Sequence, residues 1–110
     1  MPNLRLSIDR DAPADVRARL AAGLVDVRAI LIDRLPAERA ACQLAVVEVA
    51  ALPDQPGINA ELFVLPNAQR TRARLEEVGA ALRDHLHALT GLTVAVRIAH
   101  LDPDTYVAVR

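Results

Sequence analysis

Leu4, Leu6 and Ile8 alternate with Asn3, Arg5 and Ser7, a period of two that predicts a half-buried strand, and Asp9 to Ala12 break the pattern. Pro13 suits a first helical turn. Val16, Leu20, Gly23, Leu24, Val27 and Leu31 then recur at helical spacing, so one helix of about five turns is expected to end before Pro36. Asp15, Arg17, Arg19, Asp26 and Arg28 fall largely off its apolar stripe. Residues 43–50, Gln-Leu-Ala-Val-Val-Glu-Val-Ala, are β-branched and mostly apolar and read as an interior strand. Pro53, Pro56 and Gly57 end it. Ile58 to Leu65 is a third apolar run, stopped by Pro66-Asn67. Arg70, Leu75, Val78, Leu82, Leu86 and Leu89 mark a second helix beginning at Arg70, with Gly91 as its C-cap. Thr93 to Leu101 returns to strand pattern, and a turn at Asp102-Pro103-Asp104 leads into a short alternating tail, Tyr106-Val107-Ala108-Val109.

The order is strand, helix, strand, twice over, and Leu6 and Leu62 are separated by the same length of chain as Leu24 and Ala80. This predicts an α+β fold built as a tandem βαβ (β-α-β-β-α-β), a four-stranded sheet with two helices on one face and a short C-terminal strand. The expected divisions are a βαβ unit at 2–50, a linker at 51–57, a second unit at 58–101 and a tail at 102–110, all in one domain. Right-handed crossovers put both helices on the same face of the sheet and leave the other bare. A second copy of the chain is the expected cover, so a homo-oligomer is predicted. Arg5, Glu48, Glu61 and Arg97, charges inside strands, are expected at that interface or in its solvent-filled centre, and the tail is expected to add a strand to a neighbour's sheet edge.

Composition narrows the chemistry. The 110 residues suit one domain, and 13 basic against 14 acidic residues leave a net charge of -1, which disfavours nucleic acid and anionic membrane as partners. Every basic residue is arginine, which removes Schiff-base lysine. Cys42 is the only cysteine, so no internal disulfide or thiolate metal cluster is possible, and no metal or cofactor is expected. Without a secretory or membrane-length apolar run, the protein is expected to be soluble and cytoplasmic. Phe63 and Tyr106 are the only aromatic residues, too few for a base-stacking platform.

The chain opens Met1-Pro2, and loss of the methionine would expose Pro2 as a secondary amine, a nucleophile and a base. With the doubled βαβ pattern, this start resembles the tautomerase superfamily, which includes 4-oxalocrotonate tautomerase (4-OT), 5-carboxymethyl-2-hydroxymuconate isomerase and macrophage migration inhibitory factor. The isomerase branch looks nearest. It is similar in an arginine at the start of the second helix, here Arg70 in Phe-Val-Leu-Pro-Asn-Ala-Gln-Arg-Thr ahead of Gly79, and in a Leu-x-Pro turn, here Leu101-Asp102-Pro103. The resemblance implies a trimer, without cofactor, acting as a keto-enol tautomerase or isomerase on a small carboxylate-bearing enol or dienol. Pro2 would be its general base and Arg70 its anion clamp. Where relatives carry strand-two arginines this chain has Ala41 and Gln43, so Arg39 would be the substitute only if the second strand began ahead of residue 43, and Arg10 is a further binder one position from the arginine that follows the first strand in oxalocrotonate-type enzymes.

Two other readings stand beside this one. Strand-helix-strand twice over also describes a ferredoxin-like, ACT-type regulatory domain binding a small molecule, and a catalytically silent tautomerase-fold oligomer would share every feature but activity. The other reactive side chains have plainer roles. His85 and His87 point to different sides of a helix and read as surface residues; His100 and Asp102 suggest a local hydrogen bond at a strand end, and Cys42 an inert buried thiol. Arg72, Arg74, Glu76 and Glu77 read as a solvated helix face.

Overall fold

The computed structural model describes residues 2–110. Strand β1 (Asn3–Asp9) leads through helices α1 (Ala14–Ala22) and α2 (Leu24–Arg34) and a 3-10 turn at Arg39–Ala41 into β2 (Gln43–Val49). The second half repeats the plan with β3 (Ile58–Val64), α3 (Arg72–Thr90) and β4 (Val94–His100). The sheet order is β2-β1-β3-β4, with β1 and β2 parallel, β1 and β3 antiparallel, and β3 and β4 parallel. The architecture is therefore the predicted α+β tandem βαβ.

That order excludes the ferredoxin-like reading. In the split βαβ arrangement another strand lies between the two that a helix joins, whereas here each helical crossover returns its strand beside the one it left. The same fact corrects the placement of residues 43–50. The antiparallel β1–β3 pair takes the centre, so both returning strands fall at the edges, and β2 is an edge strand in the chain although its composition is that of an interior one.

Alternation sorts the side chains between the two faces of the sheet. Leu4, Leu6 and Ile8 of β1 and Ile58, Ala60, Leu62 and Val64 of β3 are all buried, and they pack with Leu20, Val27, Leu31, Val78, Leu82 and Leu86 from the helices. The opposite face carries Asn3, Arg5 and Ser7 beside Asn59, Glu61 and Phe63, all exposed or half-buried, so it is the bare face that the pattern anticipates. Three of the four strand charges lie there in one row, Arg5 opposite Glu61 and Glu61 opposite Arg97. Arg97 donates to Asn59 Oδ1 at 3.1 Å, and Asn59 Nδ2 to Glu61 Oε1 at 3.3 Å. Glu48 does not join them. Its register partner is Ile8, which puts it on the helix-bearing face, and it forms an ion pair with Arg17 of α1 at the sheet's margin.

The expected five-turn helix is interrupted at Gly23, which joins α1 to α2. A Cβ there would stand 2.6 Å from Leu89 Cδ2 of α3, so the break lies where α3 packs against the first half. Gly23→Val is expected to destabilise the fold by about 1–3 kcal/mol through overpacking. Denaturant unfolding of Gly23→Val, Leu89→Ala and the double variant checks this: the pair should couple favourably, because removing Leu89 opens the space the valine needs. Additive losses would place the strain elsewhere.

The remaining departures lie at element ends. Thr71 is the N-cap of α3, its Oγ1 accepting from Arg74 N–H at 3.2 Å, so the helix begins at Arg72 and not at Arg70. Gly91, at φ 74°, closes it as expected. Tyr106 to Arg110 carry no strand pairing within the chain, and Val107 and Val109 are exposed. Among the described residues no helix is long and apolar enough to cross a membrane.

Candidate active site

Pro2 directly precedes β1 and is buried at the end of the sheet where β1 begins. Its carbonyl accepts the Gln43 N–H at 2.9 Å, the first rung tying β1 to β2. Asn3 pairs with Gln43 on one side and Phe63 on the other, so continuing each ladder by one residue brings Cys42 and Val64 alongside Pro2. Val64 in turn pairs with His100. Cys42, Pro2, Val64 and His100 thus form one row across the sheet end, on the helix-bearing side.

The loop after β3 delivers Arg70 to the same end. Pro66 stops the strand, and Asn67 Oδ1 accepts from the N–H groups of Gln69 at 2.9 Å and Arg70 at 3.0 Å, an Asx turn that folds the chain back on itself. Arg70 Nη1 then donates to the carbonyl of Leu65 at 2.7 Å, the residue following Val64. Arg70 is 7% exposed, and its Nε is buried without any acceptor among the described residues. A charged donor left in that state is costly unless something binds it. Arg70 precedes the α3 cap, so it is the burial of the guanidinium, more than the helix end, that defines its setting.

The other two arginines singled out in the sequence part company. Arg39 lies in the 3-10 turn just before Cys42, exposed and at the Pro2 end. Arg10 lies at the far end of β1, where its N–H donates to Val49 O at 2.8 Å. Eight residues of extended chain separate it from Pro2, roughly 26 Å at the rise of a strand. The chain does not bring these two together.

Arg28 was not anticipated. It follows Leu24 by one helical turn on α2, and so faces the edge of the sheet near the start of β2. With Leu24, Val25, Cys42, Gln43 and Leu44 it lines a cavity of about 250 Å³. The signal is present in the i, i+4 relation of Leu24 and Arg28, but the alternation of Val27 and Leu31 with charged neighbours makes Arg28 look like solvent face. Cys42 registers the surroundings: burial pushes its thiol above the ordinary value, while the positive charges of Arg28 and Arg70 pull it down. Both guanidinium groups therefore act on the residue next to Pro2.

A larger groove of about 550 Å³ runs between α3 and the edge strand β4, past Leu75, Gly79, Val96 and Ile98 to His100. Its Arg72 is engaged by Glu76 at 3.0 Å. Of the other reactive groups, His87 behaves as a surface residue, its Nδ1 2.8 Å from the Leu92 carbonyl. His85 does not: it is half-buried, with Nε2 enclosed and without a partner among the described residues. Asp102 Oδ1 accepts from Asp104 N–H at 2.9 Å, so it serves its own turn.

No family model matches the sequence, and no curated protein does. Solved structures match closely in shape. The chain is similar to a protein of unknown function from Vibrio cholerae O1 biovar eltor, with TM-score 0.76, 15% identity, and coverage of 97% of this chain and 83% of that one. It is similar to the F6 fused 4-OT asymmetric trimer, with TM-score 0.74, 14% identity, and coverage of 96% and 91%. It is also similar to malonate semialdehyde decarboxylase, with TM-score 0.70, 13% identity, and coverage of 98% and 91%. At these identities the likeness establishes the fold, which is the tautomerase βαβ fold.

Proposed function

We propose that the protein is a keto-enol tautomerase or isomerase of a small carboxylate-bearing enol or dienol, with Pro2 as general base once Met1 is removed. Met1 lies outside the described residues. The observation that carries the reading is Arg70: a buried guanidinium whose Nε has no acceptor among the described residues, held at the same sheet end as Pro2. A substrate carboxylate would supply that acceptor through a charge-assisted hydrogen bond. In the reaction, the free Pro2 nitrogen takes the enol hydroxyl proton, the O–H electron pair becomes the carbonyl π bond, and the displaced π pair takes the proton back at carbon. No atom leaves and no electrons are gained.

A base working near neutral pH must be neutral there, and a guanidinium at the same sheet end, as Arg70 is, disfavours a protonated amine. The bare sheet face, with Phe63 38% exposed, supports assembly of several copies, and we propose a trimer. In such an assembly a neighbouring copy could bring Arg10 to the Pro2 end that its own chain cannot reach, with Arg39 as a further anion contact. Malonate semialdehyde decarboxylase, which shares the fold, has been crystallised in wild-type, proline-to-alanine and inactivated forms in a study of its decarboxylase and hydratase activities.

The test is an intact-mass spectrum of the purified chain followed by assays with 2-hydroxymuconate and phenylenolpyruvate. Tautomerisation of either by the Met-free form, above the buffer rate, supports the proposal. A Met-free chain that accelerates neither counts against the proposal and favours the silent oligomer.

A further inference from the structure

Most of the arginines are spoken for. Arg17, Arg19, Arg72, Arg74 and Arg83 have carboxylate partners, Arg97 bonds Asn59, and Arg70 bonds the Leu65 carbonyl. Among the described residues Arg5, Arg10, Arg28, Arg34 and Arg39 have no side-chain acceptor, and Arg110 is engaged elsewhere. Four of those five are exposed and need none. Arg28 is the exception: half-buried, without a counterion, and in the wall of a cavity. A partly desolvated cation in such a place calls for an anion.

We propose that the cavity between α2 and the head of β2 is an anion subsite in which Arg28 binds a second carboxylate of the substrate, making Arg28 a specificity-determining residue. Its floor, Cys42 and Gln43, adjoins Pro2, since Gln43 N–H bonds the Pro2 carbonyl and Cys42 is the next residue of the ladder. Arg70 stands on the β3 side of Pro2 and Arg28 on the β2 side, so the two cations flank the base. The volume, about 250 Å³, admits a carboxylate and a few carbons. Arg28 thereby supplies from a helix the cation that Ala41 and Gln43 do not supply from the strand. The assignment rests on the reading of Pro2 as the base only for what the bound anion becomes, not for the binding itself.

Cys42, the sole thiol and a wall of the cavity, provides a readout separate from turnover. Alkylation by iodoacetamide is followed with glutarate, an unreactive dicarboxylate, as the protecting ligand and acetate as the monocarboxylate control. Glutarate should slow modification in the wild type, and Arg28→Ala and Arg28→Gln should raise the half-protecting concentration by about ten- to a hundredfold, the worth of a lost charged hydrogen bond. Arg28→Lys should keep part of the protection. Equal protection of wild type and both neutral variants, or no protection of the wild type, overturns the subsite. The same measurement on Pro2→Ala should match the wild type. A chain without enol turnover but with Arg28-dependent protection overturns the catalytic reading alone, and an active chain with Arg28-independent protection overturns the subsite alone.

Discussion

Pro2→Ala is expected to lower kcat/KM for an enol substrate by about 10²- to 10⁴-fold, the contribution of a positioned general base. The Met-free variant begins with a primary amine, still a base but no longer held by a ring, so some activity survives. The form retaining Met1 should have none, because Pro2 is then a tertiary amide whose nitrogen accepts no proton. The fold should persist in all three forms. What Pro2 gives the sheet is its carbonyl, bonded to Gln43 N–H, and alanine keeps that bond. Steady-state kinetics on chains whose N-terminus is assigned by intact mass, with unfolding curves alongside, check the result. Equal rates for the Met-free wild type and the Met-free Pro2→Ala variant would falsify the catalytic role.

Arg70→Ala carries the second large effect, and it acts on both activity and stability. The anion loses a charged partner worth about 1.5–3 kcal/mol, so kcat/KM should fall by about ten- to a hundredfold, mostly through KM. The Leu65 carbonyl loses its donor as well, with an expected cost to stability of about 1–3 kcal/mol. Arg70→Lys separates the two. It keeps the charge, loses the fork that serves Leu65 and a ligand together, and should recover part of KM but little of the stability. Kinetics and urea unfolding on the two variants provide the check. Unchanged KM in Arg70→Ala, with stability lost, makes Arg70 a loop staple only.

Much of the fold is legible in the sequence because its signals are local. Leu4-Leu6-Ile8 and Ile58-Ala60-Leu62-Val64 alternate in the sequence and are buried on one side of the sheet in the structure. The C-cap at Gly91 is a single-residue signal, and the helix ends there. The departures involve partners distant in sequence. Gly23 reads as one small residue on an apolar stripe until Leu89 is placed against it. Residues 43–50 have the composition of an interior strand, yet strand order is set by which pair takes the centre, and no property of those eight residues says so. Glu48 looks like a companion of Arg5, Glu61 and Arg97; one step of register against Ile8 sends it to the other face.

The site divides in the same way. Pro2 and Arg70 are singled out by the chain itself, one for the chemistry it would have as a terminal amine and the other for its place after the third strand. Their roles are proposals. Arg28 cannot be separated from twelve other arginines by sequence, since what distinguishes it is partial burial without a counterion.

The sequence by itself determined the order of elements, the buried side of each central strand, the doubled plan and the reactive groups on offer, because short-range periodicity and residue chemistry are properties of neighbouring positions. Only the tertiary structure decided which strands lie at the edges, that Arg10 and Pro2 occupy opposite ends of β1, and that Arg70 and Arg28 flank Pro2. Those depend on pairing, packing and desolvation between segments far apart in the chain, which residue order alone does not encode in any local pattern.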